Sequence, residues 1–225
     1  MRISQTIPIS SSLPAAPVEM EGIACFFGKI KVVRDVNLTL HPGEHVALIG
    51  SNGSGKTTLL RTILGLHPLA AGTILVDGRN ARTNSEWQVR RKRIAWMPQR
   101  QANGQFPLLV RELLASSSGV AAALQAATDL EIGDLLARPI SSLSGGQLQR
   151  VFLARSIGSL AGGAGLLLAD EPTAALDFDG QVKVADILRT LPATCLVVTH
   201  DHKMAERCDR VIEMAGGCLY TSVRS

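Results

Sequence analysis

The chain has 225 residues, 46% of them hydrophobic and 19% charged, enough for one sizeable core and too apolar for a disordered polymer. Aromatic residues make up only 4%, so the interior must be built from Leu, Val, Ile and Ala, which suits strands of a parallel sheet covered on both faces. The net charge of +4 is compatible with an anionic ligand or an acidic membrane surface and selects neither.

The first 17 residues carry Arg2 and three prolines but no continuous apolar stretch, and read as a loose tail rather than a signal peptide. The body is expected to begin at Val18. Glu19–Phe27 and Val32–Leu40 are predicted strands of an antiparallel sheet, followed by the turn His41-Pro42-Gly43-Glu44. Val46–Ile49 is a short buried strand that runs into the glycine loop Gly50–Gly55 and a helix from Lys56 to about Leu64. A further strand covers Gly72–Asp77, with Asp77-Gly78 as its turn. The run Arg90-Arg91-Lys92-Arg93 has no interleaved aromatics for base stacking, so a solvated helix face is expected there rather than a nucleic-acid patch.

Ile94–Met97 is a strand stopped by Pro98. From there to Leu143 the pattern turns helical, with predicted helices at Val110–Ser116, Val120–Thr128 and Ile132–Leu135: an insertion of about 45 residues in an α/β body. A helix at Gly145–Gly158 completes this helical subdomain, which spans roughly residues 100–158. Alternation then resumes: strand Leu166–Ala169, helix Gly180–Leu191, strand Thr194–Thr199, helix Lys203–Arg207, and strands Val211–Met214 and Cys218–Thr221. Strands separated by helices imply parallel pairing through crossovers.

No apolar stretch reaches the roughly 18–20 residues of a membrane-spanning helix. The longest, Ser156–Ala169, is broken by four glycines. Cys25, Cys195, Cys208 and Cys218 form no CxxC pair and fit reduced thiols in a cytosolic compartment. His200 and His202 form an HxH pair, but no second ligand pair lies near enough in sequence to complete a metal site.

Gly50-Ser51-Asn52-Gly53-Ser54-Gly55-Lys56-Thr57 matches GxxxxGK[ST], between a strand and a helix as a phosphate loop requires. Its glycines let backbone N–H groups, continued by Thr58, curl around phosphate oxygens, and the helix N-terminus adds partial positive charge. Lys56 is placed to reach the β- and γ-phosphates of a nucleotide, and the Thr57 hydroxyl to hold Mg²⁺; the loop alone leaves kinases, GTPases, helicases and transporters open. A chance Gly-rich turn would need none of these companions.

Leu166–Ala169 ends in Asp170-Glu171. A buried strand can set Asp170 beside the loop to orient Mg²⁺ and Glu171 opposite the γ-phosphate as general base for water; the bland reading is a surface acidic pair.

Leu143-Ser144-Gly145-Gly146-Gln147 resembles the LSGGQ signature of the ABC ATPase family, although a simple helix N-cap has a similar composition. The resemblance implies a P-loop fold with a RecA-like mixed or parallel sheet, an N-terminal antiparallel β subdomain and the short helical insertion. It further implies that Ser144, Gly145, Gly146 and Gln147 close over ATP held by a second subunit, in a head-to-tail dimer with two sandwiched nucleotides. Gln99 then fits the family's Q-loop, near Mg²⁺ and the attacking water. Ala175-Leu176-Asp177 fits its D-loop, with Ala174 where Ser is frequent, and His200 fits its switch histidine on the γ-phosphate. Phe27 is the candidate for the adenine-stacking ring, with Phe26 as a rival on the other strand face and a core role open to either. The likeness runs from about Val18 to Thr221.

What the family does implies an ATPase peripheral to the cytoplasmic face of the inner membrane. It would energise a separate permease and, through it, an extracytoplasmic solute-binding protein, with no role for nucleic acid. Soluble relatives acting on DNA or ribosomes typically carry coiled-coil insertions or two fused ATPase domains, and no such features are read in this sequence. The stretches Ile94–Arg100, Phe106-Pro107-x-x-Val110-Arg111-Glu112 and Arg138-Pro139-Ile140 are similar to the zinc and manganese uptake ATPases, with iron-chelate importers next in resemblance.

Overall fold

Alternation organises the first strand. In β1 (Val18–Phe27), Val18 and Met20 are buried while Glu19 and Glu21 face water, as a half-covered strand requires. The structure, a computed structural model, describes residues 15–99 and 108–221. Residues 100–107, where the helical subdomain was expected to start, and the first 14 residues of the expected tail lie outside that range. Ala16 and Pro17, expected in that tail, are held by the body. Ala16 is fully buried and its amide donates to the Gly165 carbonyl, and the Pro17 carbonyl accepts from Asp77.

β1 pairs antiparallel with β2 (Ile30–Leu40) and with β4 (Ala71–Val76), giving a three-stranded sheet in the order β2-β1-β4. Asp77 and Gly78 both take positive φ after β4, as the two-residue turn demands. The second sheet has six strands in the order β5-β6-β7-β3-β8-β9. Here β3 is His45–Ile49, β5 Ile94–Met97, β6 Leu166–Asp170, β7 Thr194–Val198, β8 Arg210–Ala215 and β9 Cys218–Thr221. The first five of that order pair in parallel, and β9 returns antiparallel to β8. Every residue of β6 and β7 is buried, which is why neither shows an alternating pattern.

Helix α1 (Lys56–Ile63) lies between the two sheets. Its Leu59, Leu60 and Ile63 are fully buried with residues of β1, β3 and β6, each such side chain contributing about 1.5–3 kcal/mol of transfer free energy. The opposite face of the large sheet carries a second core built with α3 (Val110–Ala115), α4 (Val120–Asp129), α5 (Gly145–Ala161), α6 (Phe178–Arg189) and α7 (His202–Glu206). Gly158 lets α5 approach α4: a Cβ there would stand 2.6 Å from the Cβ of Ala123. The expected helix at Ile132–Leu135 is a single 3₁₀ turn, Gly133–Leu135.

Before β5 one helix is defined and one reading is corrected. Asn84–Lys92 forms helix α2, started by a reciprocal capping box between Thr83 and Glu86, a T-x-x-E signal legible in the sequence. The basic run at its end is not a solvated face throughout. Arg91 and Lys92 are exposed, but Arg90 is buried, donating from one nitrogen to the carbonyls of Ile74 (2.7 Å) and Arg79 (2.9 Å) and lying 4.8 Å from the Trp87 ring centroid. Burial pulls its guanidinium down to about 10. Among the described residues, no helix is long and apolar enough to cross a membrane.

Candidate functional site

Parallel strands bring their carboxyl ends to one edge, and here four adjacent ones deliver the predicted residues together. β3 leads into the phosphate loop, β5 into Pro98-Gln99, β6 ends at Asp170 and is followed by Glu171, and β7 is followed by Thr199-His200. One cleft is lined by residues 52–58 of the loop together with Phe27, Gln99, Asp170 and Glu171. Phe27 is 71% exposed at its mouth; Phe26, whose carbonyl takes a hydrogen bond from His67, does not line it.

The loop is shaped by what lies behind it. Gly50 has φ +142, and a Cβ there would sit 2.1 Å from the Met214 carbonyl oxygen. Gly55 has φ +110, and a Cβ there would meet the Val32 carbonyl oxygen at 2.5 Å. Only glycine fits either place. Met214 of β8 and Val32 of β2 therefore press the loop into shape, a role no local signal in the sequence marks. Gly55 caps α1 without a side chain, and the first turn holds no acidic residue, so the helix start stays open to an anion.

Lys56 is 7% exposed and its Nζ donates to the carbonyls of Gly50 (2.7 Å) and Ser51 (2.9 Å). Burial lowers its pKa, while the charges of Glu171 and Asp170 hold it up. Thr57 donates its hydroxyl proton to Asp170 Oδ2 at 2.9 Å. The second oxygen, Asp170 Oδ1, is buried and has no hydrogen-bond partner among the described residues, and burial keeps this carboxyl above the usual range against the opposing hydrogen bond from Thr57. A desolvated carboxylate oxygen with a spare acceptor beside a threonine hydroxyl is a donor set for a hard, oxygen-seeking cation, and Mg²⁺ fits it.

Glu171 takes φ +52, a left-handed conformation that costs a non-glycine residue about 1–3 kcal/mol. Its amide donates to the Val198 carbonyl (2.8 Å), and its own carbonyl accepts from Ala174 (3.3 Å) and from Nε2 of Gln149 (3.0 Å). Thus turned, its carboxylate meets Nδ1 of His200 at 2.8 Å and the His200 amide at 3.4 Å. Gln149 was not singled out in the sequence.

The signature residues lie elsewhere. Ser144 caps α5, accepting from the Gln147 amide at 3.2 Å, while Gln147 Oε1 accepts from the Ser144 amide at 3.0 Å. The hydroxyl, having accepted there, keeps its proton to donate. Gly145 and Gly146 are packed by Ala175 and Leu176, so the signature and the segment before Asp177 share one surface. Asp177 caps α6 by accepting from the Gly180 amide at 3.0 Å. None of Ser144, Gly145, Gly146, Gln147 or Asp177 lines the phosphate cleft of its own chain.

Known proteins resemble this chain over most of its length. The family model described as ABC transporter matches residues 33–174. The zinc import ATP-binding protein ZnuC of Yersinia pestis bv. Antiqua is 34% identical over 203 residues, which cover 87% of this chain and 74% of that protein. The macrolide export ATP-binding/permease protein MacB of Psychrobacter arcticus is 36% identical over 210 residues, 87% of this chain but 31% of that protein. The dimeric, post-hydrolysis structure of the ATP-binding cassette MJ0796 with ADP and Pi matches with a TM-score of 0.78 at 27% identity, covering 92% of this chain and 100% of that one. With the phosphate loop, Gln99, Asp170, Glu171 and His200 brought to one sheet edge and the family model spanning more than half the sequence, the chain belongs to the ABC transporter family and is one of its ATPases.

Proposed function

We propose that this protein hydrolyses ATP as a head-to-tail dimer at the cytoplasmic face of a membrane and drives a separate permease. The observation that carries this reading is the separation of the two anion sites: the phosphate loop, Asp170 and Glu171 share a cleft from which Ser144–Gln147 are absent. Each signature finds phosphates to bind only on a second copy. The cassette MJ0796, dimeric with ADP and Pi, supports that arrangement.

In this reading the N–H groups of residues 50–58 and the Lys56 ammonium hold the β- and γ-phosphates, trading the carbonyls of Gly50 and Ser51 for phosphate oxygens. Thr57, Asp170 and, from the Q-loop, Gln99 hold Mg²⁺, which supplies positive charge against the phosphate oxygens. Glu171 accepts a proton from the attacking water as its oxygen bonds to the γ-phosphorus and the bond to the ADP oxygen breaks. His200 steadies that carboxylate through Nδ1 and faces the γ-phosphate. Ser144 donates its free hydroxyl proton, with Gly145 and Gly146, to the partner's nucleotide. Asp177 lies at the same dimer surface, and Phe27 stacks on adenine.

For cargo we favour import of a metal cation of the zinc or manganese kind, with a solute-binding protein feeding the permease, on the strength of the zinc import relative. The macrolide export relative supports export as the second reading; its match is confined to 31% of that longer ATP-binding/permease protein.

Ser144→Arg tests the shared site. It should leave ATP binding to the monomer intact and abolish ATP-driven dimer formation in gel filtration; a normal ATP-bound dimer would remove the signature from the interface. For cargo, a strain lacking this chain should need added zinc or manganese under chelation and keep its macrolide tolerance. The reverse pattern assigns export.

A further inference from the structure

Helix α5 carries an exposed residue at its start and a buried one five positions on. Ser144 is its cap, and Gln149 is 4% exposed with its Nε2 3.0 Å from the Glu171 carbonyl. Beyond Arg150 the helix continues with Val151, Phe152 and Leu153, all buried and apolar, and a leucine in place of Gln149 would bury no polar group of its own. What an amide adds there is an N–H.

The recipient is the one residue of the cleft, outside its glycines, with a left-handed backbone. Three hydrogen bonds fix the Glu171 main chain: its N–H to Val198, and its carbonyl from Ala174 and from Gln149. Val198 belongs to the neighbouring strand and Ala174 to the turn that follows Glu171. Gln149 alone reaches in from the helix that bears the signature. A second contact runs beside it, since the start of the same helix packs through Gly145 and Gly146 on Ala175-Leu176, only four and five residues beyond Glu171. Rotation of a peptide unit in this conformation swings the carboxylate, and misplacement by about 1 Å can cost a factor of 10² in rate.

We propose that Gln149 is a positioning residue that locks the Glu171 backbone to the signature helix. Engagement of Ser144 with the nucleotide of one site is thereby passed along α5 to the catalytic carboxylate of the other. The second half of this rests on the head-to-tail reading; the first half does not.

The test uses the full chain with Gln149→Met, which keeps length and packing and removes the donor, and Gln149→Glu, which replaces it with an acceptor. Both should lower kcat about tenfold to a hundredfold, while KM for ATP stays within about twofold. Placed in a Glu171→Gln background, either variant should still form the ATP-bound dimer as fully as Glu171→Gln alone. Wild-type kcat in Gln149→Met would overturn the proposal, and so would a kcat loss that tracks lost dimer formation or a raised KM, since that marks a structural role. If Glu171→Gln alone failed to dimerise with ATP, the head-to-tail reading and the transmission along α5 would both fall. The split between kcat and KM would still decide whether Gln149 positions Glu171.

Discussion

Nδ1 of His200 lies 2.8 Å from Oε2 of Glu171, a largely exposed imidazole against a carboxylate buried beneath it. The contact ties the end of β7 to the residue after β6, and it exists because Glu171 turns its side chain through a left-handed backbone. Two groups so joined should act as one unit on the reaction.

Glu171→Gln keeps the shape of the side chain and removes its capacity to take a proton. Turnover should drop about 10²–10⁴-fold with ATP binding retained, and an ATP-bound dimer should accumulate. His200→Ala should cost about tenfold to a hundredfold by itself, and almost nothing further in the Glu171→Gln background. Rate losses that multiply in the double variant would mean the two side chains act independently.

Asp170 shows the opposition between function and stability. Its carboxyl sits above the usual range because burial disfavours the charge. A folded-state value above the unfolded one means that ionisation costs stability once the pH exceeds the unfolded value, so near neutrality the charged form is a net burden. Asp170→Asn should therefore raise the melting temperature of the nucleotide-free protein and abolish the additional stabilisation by ATP with Mg²⁺. A lower melting temperature in the absence of nucleotide would show that the bond from Thr57 outweighs the burial.

Two glycines of the phosphate loop should respond differently to alanine. At Gly50 the new methyl would lie 2.1 Å from the Met214 carbonyl, backbone that cannot step aside. At Gly53 no atom of the described residues stands within 4 Å of the new methyl, and the positive φ of 81° opposes the change. Gly53→Ala should cost about 1 kcal/mol of stability, and Gly50→Ala several times more, together with nucleotide binding. Equal melting temperatures for the two variants would refute the backing role of Met214.

Much of this site was legible because its chemistry is local. A strand, a glycine loop and Lys56-Thr57 follow one another within a dozen residues, and the glycines at Gly50 and Gly55 are needed by the loop's own path. The apolar strand ending in Asp170-Glu171 announces itself the same way. Helix α2 was also within reach, since its Thr83–Glu86 capping box is a four-residue signal.

What the tertiary structure decided involves partners far apart in the chain. Phe26 and Phe27 are adjacent and chemically identical, yet only the second faces the cleft, because the pleat of β1 and its bulges set their directions. Arg90 reads as one of four exposed cations until β4 supplies the carbonyl of Ile74 and leaves it buried. Gln149 looks like any polar helix residue until Glu171, 22 positions later, presents its carbonyl. Helix caps are set by neighbours within a few residues, so the sequence determines them alone. A buried hydrogen bond depends on which strand ends meet, and that choice is made by the packing of the whole core.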